Sequence, residues 1–186
     1  MRDYSVELKE RVQFIRDLLN ESHAKGIVFG NSGGKDSALC GIICKMACEN
    51  TVGIIMPCSS KRNFSIDKND GLEVAKKFDI KTEIIDVTTI RDELISKVSE
   101  KVEINPLTLS NIAPRIRMTT LYAYAGSKNL LVCGTGNRTE MYLGYYTKWG
   151  DGACDFNPIS DLTVEEVEEL EKTQVIKTQV YGKYGT

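Results

Sequence analysis

The segment from Gly26 to Glu49 constrains the fold more than any other. The apolar run Ile27-Val28-Phe29 leads into Gly30-Asn31-Ser32-Gly33-Gly34-Lys35-Asp36-Ser37, and a helical stretch follows from about Ser37 to Glu49. Strand, glycine-rich turn and helix in succession form the opening half of a β–α–β unit whose turn is suited to phosphate. Small residues let backbone N–H groups converge on phosphate oxygens, the helix start offers its positive end, and Lys35 adds a mobile charge. The turn is not a Walker A loop, because Phe29 stands where the first glycine belongs and Asp36 follows the lysine. Nor is it a G-x-G-x-x-G dinucleotide turn. Ser-Gly-Gly alone also suits an ordinary strand-to-helix turn capped by Asp36 or Ser37, but the flanking strand, Lys-Asp-Ser and the helix weigh against that reading.

The rest of the pattern extends this unit. Leu8, Val12, Ile15 and Leu19 recur at helical spacing among charged residues and mark an amphipathic opening helix. A second apolar run, Val52–Met56, stops at Pro57, and the polar segment 59–69 leads into a helix expected over 70–78. A strand is expected at Glu83–Val87 and a helix over Ile90–Val102. Another helix, expected from Asn111 as its cap to Lys128, delivers the chain to a strand at Leu130–Cys133. Pro114 motivates that start, since proline is harmless only in a first helical turn. Four short apolar strands alternating with helices predict an α/β fold, a doubly wound, mostly parallel sheet with helices on both faces. Ligands of such sheets lie beyond the carboxyl ends of the strands, where Gly30–Gly34 and Gly134–Gly136 both fall.

Composition removes several function classes. With 24 basic and 26 acidic residues among 186, the net charge is -2, so no global positive field draws the chain to nucleic acid or anionic membrane. No apolar run reaches the ~18 residues of a membrane helix, and the charged opening does not read as a signal peptide. A cytoplasmic protein is expected, with its six cysteines reduced. Cys40, Cys44 and Cys48 fall on one helix stripe. They suit core packing better than a metal or iron–sulfur cluster, because Lys45 and Glu49 occupy the other face. His23, the sole histidine, is expected at a solvated helix end, which leaves no Ser–His or Cys–His pair to seek.

Ser32-Gly33-Gly34-Lys35-Asp36-Ser37 after a strand resembles the loop of N-type ATP pyrophosphatases, which cleave ATP between its α and β phosphates. Three downstream stretches narrow the resemblance: 111–118 (NIAPRIRM), 134–140 (GTGNRTE) and 144–155 (GYYTKWGDGACD). In combination and order they are similar to the signatures of the NAD synthetase family. The likeness covers 1–163, read as one ATP pyrophosphatase domain of the adenine nucleotide alpha hydrolase type. It implies amidation of deamido-NAD by ammonia, with ATP as co-substrate and Mg²⁺ as cofactor. Other amidating or thiolating ATP pyrophosphatases, and a nucleotide-binding protein with impaired catalysis, stay open as alternatives.

The resemblance also assigns residues. ATP falls to Gly30, Ser32, Gly33, Gly34, Lys35, Asp36, Ser37, Met56 and Thr135, and Mg²⁺ to Asp36 and Glu140. Deamido-NAD falls to Asn111, Arg115, Tyr146, Lys148 and Asp155, with Asn111 and Arg115 reaching across the interface of a homodimer. Asp36 and Lys148 take catalytic roles, and Asp151 is the candidate acid–base group for the ammonia step. Arg117 reads equally as a surface charge. Tyr145, Tyr146 and Trp149 suit stacking on the pyridine, although core packing is expected for at least two of them.

Glutamine-dependent members carry an amidase domain ahead of the synthetase. The length here leaves no room for one, so free ammonia or a separate donor protein is expected. After Asp161-Leu162-Thr163 the sequence departs from the family pattern. An acidic stretch, Val164–Glu171, precedes a near-duplicate, Lys172-Thr173-Gln174-Val175 and Lys177-Thr178-Gln179-Val180. Residues 164–186 are therefore read as an atypical C-terminal segment, incomplete relative to the family and lacking the part that closes over ATP.

Overall fold

The computed structural model describes residues 2–58 and 71–173. The polar segment 59–69, and the tandem Lys-Thr-Gln-Val pattern beyond Thr173, lie outside the described residues. Four strands, β1 (Ile27–Gly30), β2 (Thr51–Ile55), β3 (Lys81–Ile84) and β4 (Leu131–Cys133), form one parallel sheet in the order β3-β2-β1-β4. Val28 lies beside Val52 on one side and beside Val132 on the other. The chain winds outward from β1 to β3, then returns to place β4 against the opposite edge of β1. The sheet order therefore reverses between β1 and β4, the position where an open α/β sheet leaves a crevice at its carboxyl ends.

Alternation along the central strands divides the interior into two layers. Ile27, Phe29 and Cys133 face α1 (Tyr4–Ser22), α2 (Lys35–Ala47) and α7 (Val164–Glu171). Val28, Val52, Ile54 and Val132 face the side covered by α5 (Pro106–Lys128), against which α4 (Thr88–Ser99) packs. Helix α3 (71–78) sits over the first layer through Ala75. The doubly wound sheet expected from the alternation of strands and helices is thus the observed one.

Local chemistry explains the helix ends. The Asp3 side chain accepts from the N–H groups of Ser5 and Val6 to cap α1, and α1 buries Leu8, Val12 and Ile15, three of the four positions in its sequence stripe. It ends at the exposed, left-handed His23. Helix α7 starts with a capping box: Thr163 accepts from the Glu166 N–H, and Glu166 accepts from the Thr163 N–H. It then buries Val167 and Leu170 completely.

Helix α5 departs from the expectation. It begins at Pro106, capped by Asn105, five residues before Asn111, and carries Pro114 in its interior. Asn105-Pro106 supplies both a cap and a preset first-turn φ, so the start is settled upstream. Pro114 then withholds the N–H that Ser110 would receive, and the helix accepts that loss where it passes the crevice. The third strand also lies earlier than the sequence pattern suggested, at Lys81–Ile84 rather than Glu83–Val87. It is an edge strand with little burial, so apolar patterning marks it weakly.

An ionic knot ties α1 to the segment that leads into α7. Arg11 donates to Asp161 at 2.7 and 2.9 Å, to Glu7 at 2.7 Å and to the Pro158 carbonyl at 2.6 Å, and Arg2 adds a contact to Asp161. The hydrogen bond from Arg11 holds the Asp161 carboxyl down at about 2, below its ordinary 3.8. A depressed carboxyl stabilises the fold fully above its unfolded value and loses that contribution as the pH falls toward the folded one. Denaturation midpoints measured between pH 4 and pH 2 should therefore fall less steeply for Asp161→Asn than for the wild type, with the Asn variant the less stable of the two at pH 7.

Candidate active site

The loop after β1 is held open from beneath. Gly33 has a φ of 80°, a left-handed conformation that a side chain would strain, and Gly34 caps α2 without a side-chain bond. The first N–H groups of α2 consequently have no intrahelical partner and face the crevice as an anion site. Ser37 donates to the Gly34 carbonyl at 2.9 Å, so its hydroxyl proton is committed and Ser32, 3.0 Å away, is the donor between the two hydroxyls. Asn31, almost wholly buried, anchors the loop: it donates to the Gly71 carbonyl at 2.9 Å and accepts from the Gly33 N–H at 3.3 Å.

The second strand exit meets the first. Gly134 packs so closely on Cys154 that a Cβ there would lie 2.6 Å from the thiol sulfur. The chain turns through Thr135 and Gly136 into the short helix α6 (Arg138–Leu143), capped by Asn137. Asn137 donates through Nδ2 to Asp36 Oδ2 at 3.1 Å, across 101 residues. Its own N–H donates to Glu140 Oε2 at 3.0 Å. Asp36 and Glu140 thus border one cavity of about 380 Å³, together with Lys35, Ser37, Thr135 and Asp151.

A larger cavity of about 610 Å³ adjoins it, and Ser32, Thr135, Tyr146 and Asp151 border both. Gly30, Met56, Asn111 and Arg117 line the larger space. Asn111 accepts from the Thr147 hydroxyl at 2.7 Å, which fastens the loop 144–153 to α5, and within the loop Asp151 accepts from the Thr147 N–H at 2.9 Å. Arg117 is half-buried and donates to the Met56 carbonyl at 3.1 Å.

Three residues assigned to deamido-NAD border neither cavity. Arg115 donates to the Lys148 carbonyl at 3.2 Å on the exposed face of α5, and the Lys148 ammonium lies 5.7 Å from the Trp149 ring centroid. Asp155 accepts from the Val132 N–H at 2.7 Å and from the Tyr122 hydroxyl at 3.1 Å, bridging β4 to α5. Burial, and then the neighbouring Asp155 charge, push the Tyr122 phenol up to about 12. The aromatic loop corrects a sequence expectation: Tyr145 is 82% exposed, Tyr146 42% and Trp149 67%, so none of the three packs in the core. Thr147 and Gly150 are the buried residues there, because the turns of the loop point its rings outward.

A family model described as NAD synthase matches residues 7–186. The chain belongs to the NAD synthase family. An NH(3)-dependent NAD(+) synthetase of Carboxydothermus hydrogenoformans is 40% identical over 171 residues, which are 90% of this chain and 69% of that protein. One from Thermococcus sibiricus is 36% identical over 183 residues, 97% of this chain and 70% of its own length. Among solved structures, the NH3-dependent NAD synthetase of Campylobacter jejuni superposes with a TM-score of 0.84 at 35% identity, covering 98% of this chain and 78% of that one. The NMN synthetase of Francisella tularensis gives 0.86 at 30% identity, covering 92% and 71%.

Within this family frame, the donor set at the smaller cavity suits a hard divalent cation. Among the described residues no group of three or more His, Cys, Asp or Glu gathers around a common point. Two carboxylates at a phosphate-sized loop fit Mg²⁺, which keeps waters and takes phosphate oxygens rather than filling an all-protein cage. The cysteine stripe reads as packing: Cys40 and Cys44 are fully buried, and burial raises the Cys40 and Cys133 thiols, keeping them protonated. Sequence reasoning passed over Asn31, Asn137 and Asn157. Asn157 donates to the Gly136 carbonyl at 2.9 Å and borders the smaller cavity. An Asx residue beside each glycine turn was the available signal.

Proposed function

We propose that this chain is an ammonia-dependent ligase that amidates the nicotinate carboxylate of deamido-NAD at the expense of ATP. The observation that carries the reading is the meeting of the two glycine-lined strand exits, with Asp36 and Glu140 on one cavity and a larger, partly apolar cavity beside it. Family membership and the named relatives support the same activity.

The open N-terminus of α2 and Lys35 receive the triphosphate. Asp36 and Glu140 would hold Mg²⁺, which when bound neutralises charge on the departing pyrophosphate. In the larger cavity Asn111, Tyr146 and Asp151 seat the pyridine end, with the carboxylate directed at the α-phosphorus. Oxygen–phosphorus bond formation there expels pyrophosphate and leaves an acyl adenylate. Ammonia then attacks the acyl carbon, the C–O bond to AMP breaks, and a proton passes to a base. Asp151 suits that role, since Thr147 holds only its Oδ1 and leaves the other oxygen available.

Lys148, next to the cavity-lining Thr147, is assigned to the substrate carboxylate, and Asp155 to holding β4 against α5. Arg115 on the outer face of α5 supports a homodimer in which each chain completes its partner's site. Cytoplasmic location belongs to the same reading; among the described residues no helix is long and apolar enough to cross a membrane.

The test is NAD formation from deamido-NAD, Mg²⁺-ATP and ammonium, with release of equal amounts of AMP and pyrophosphate. Formation of NMN in preference to NAD would redirect the assignment to the activity named for the Francisella protein. Absence of both products with ATP still bound would reduce the chain to nucleotide binding.

A further inference from the structure

Asn137 makes three contacts that join Asp36 to Glu140. Its Oδ1 accepts from the Glu140 N–H at 3.0 Å, which fixes the amide orientation and turns Nδ2 toward Asp36 Oδ2, 3.1 Å away. Its main-chain N–H takes Glu140 Oε2 at 3.0 Å. The residue is 2% exposed, so none of the three contacts is exchanged readily for water. One oxygen of each carboxylate is therefore held by a single residue, which does not engage Asp36 Oδ1 or Glu140 Oε1. Lys35 Nζ, at 3.4 Å, neighbours that oxygen of Asp36.

We infer that Asn137 is the positioning residue that sets Asp36 and Glu140 at a separation and orientation fit for one divalent cation on a bound nucleotide. This rests on the proposed function. Without the Nδ2 contact, Asp36 keeps only its pairing with Lys35, while Glu140 stays in its capping box; nothing then ties the two carboxylates together and the pair stops acting as one ligand set. An outer residue that orients two ligands is worth about 10–100-fold in metal affinity.

The distinction from a mere helix cap can be drawn because serine and threonine also cap helices well but are too short to reach Asp36. Asn137→Ser and Asn137→Thr are compared with Asn137→Ala, Glu140→Gln and the wild type. The readouts are melting temperature and Mn²⁺ binding by electron paramagnetic resonance at saturating α,β-methylene-ATP, which cannot be cleaved between those phosphates. Asn137→Ser and Asn137→Thr should melt close to the wild type yet bind Mn²⁺ about tenfold more weakly or worse, and steady-state assays should need correspondingly more Mg²⁺. Asn137→Ala, which loses the cap as well, should melt lower and bind Mn²⁺ no better.

Wild-type Mn²⁺ affinity in either capped variant, with affinity lost in Glu140→Gln, overturns the inference and leaves the proposed function standing. A wild type that takes up no Mn²⁺ with the nucleotide overturns both.

Discussion

Asp36→Asn and Glu140→Gln should each lower the rate of NAD formation by about 10²–10³-fold, the usual cost of removing one preorganised stabiliser of developing charge. Folding should be almost untouched, and the geometry gives the reason for each. Glutamine is as good a partner as glutamate at the third position of a capping box, so Glu140→Gln keeps the bond from the Asn137 N–H. At position 36 the asparagine carbonyl oxygen can still accept from Asn137 Nδ2, while the formal charge is gone. Thermal melts of the two variants should therefore overlay the wild type while AMP and pyrophosphate release collapses. The loss should deepen as Mg²⁺ is made limiting. Unchanged rates at limiting Mg²⁺ would remove both carboxylates from the cation site and, with them, the chemical reading of the crevice.

How far such a site can be read before folding depends on the range of the interactions that build it. The phosphate loop was legible because its parts are contiguous: Phe29 is the last buried residue of a strand that ends at Gly30, Gly33 supplies a left-handed φ, and the helix start follows within two residues. The doubly wound sheet was legible for a related reason, since apolar runs and helix stripes are local patterns whose topology follows from handedness. Misplacement came where two local rules competed. Pro114 argued for a helix start at Asn111, but Asn105 caps the helix upstream and Pro106 presets its first turn, so the start is settled there although the buried residues Ile112, Ile116 and Ala125 all follow Asn111. The rings of Tyr145 and Trp149 illustrate the opposite limit. Hydrophobicity says that such side chains are buried on average, whereas the turns around Gly144 and Trp149, both at positive φ, decide where the rings point. Asn137 was beyond reach for a third reason: its bond to Asp36 exists only once two distant strand exits are neighbours.

The largest effect on stability should come from Phe29, which links the core to the phosphate loop one residue ahead of Gly30. The ring is fully buried on the central strand and fills a slot whose walls are glycines on both sides. A Cβ at Gly41 of α2 would collide with it, and one at Gly53 of β2 would come within 3.1 Å. Because Gly41 and Gly53 carry no side chains, Phe29→Ala leaves a void that neither of those positions can fill. The expected cost is about 3–5 kcal/mol, a large part of the ~5–15 kcal/mol that holds a domain folded. The converse substitution sets two effects against each other. Alanine at position 41 is worth about 1 kcal/mol to helix α2, but forcing a methyl against a close-packed ring costs about 1–3 kcal/mol, so Gly41→Ala should be destabilising overall. Combining Gly41→Ala with Phe29→Leu removes the collision, and the double variant should be more stable than the two single losses predict when summed. Urea unfolding monitored by circular dichroism measures all four corners of that cycle. Strict additivity would show that the ring and the glycine are not packed as a pair, and that the loop rests on some other support.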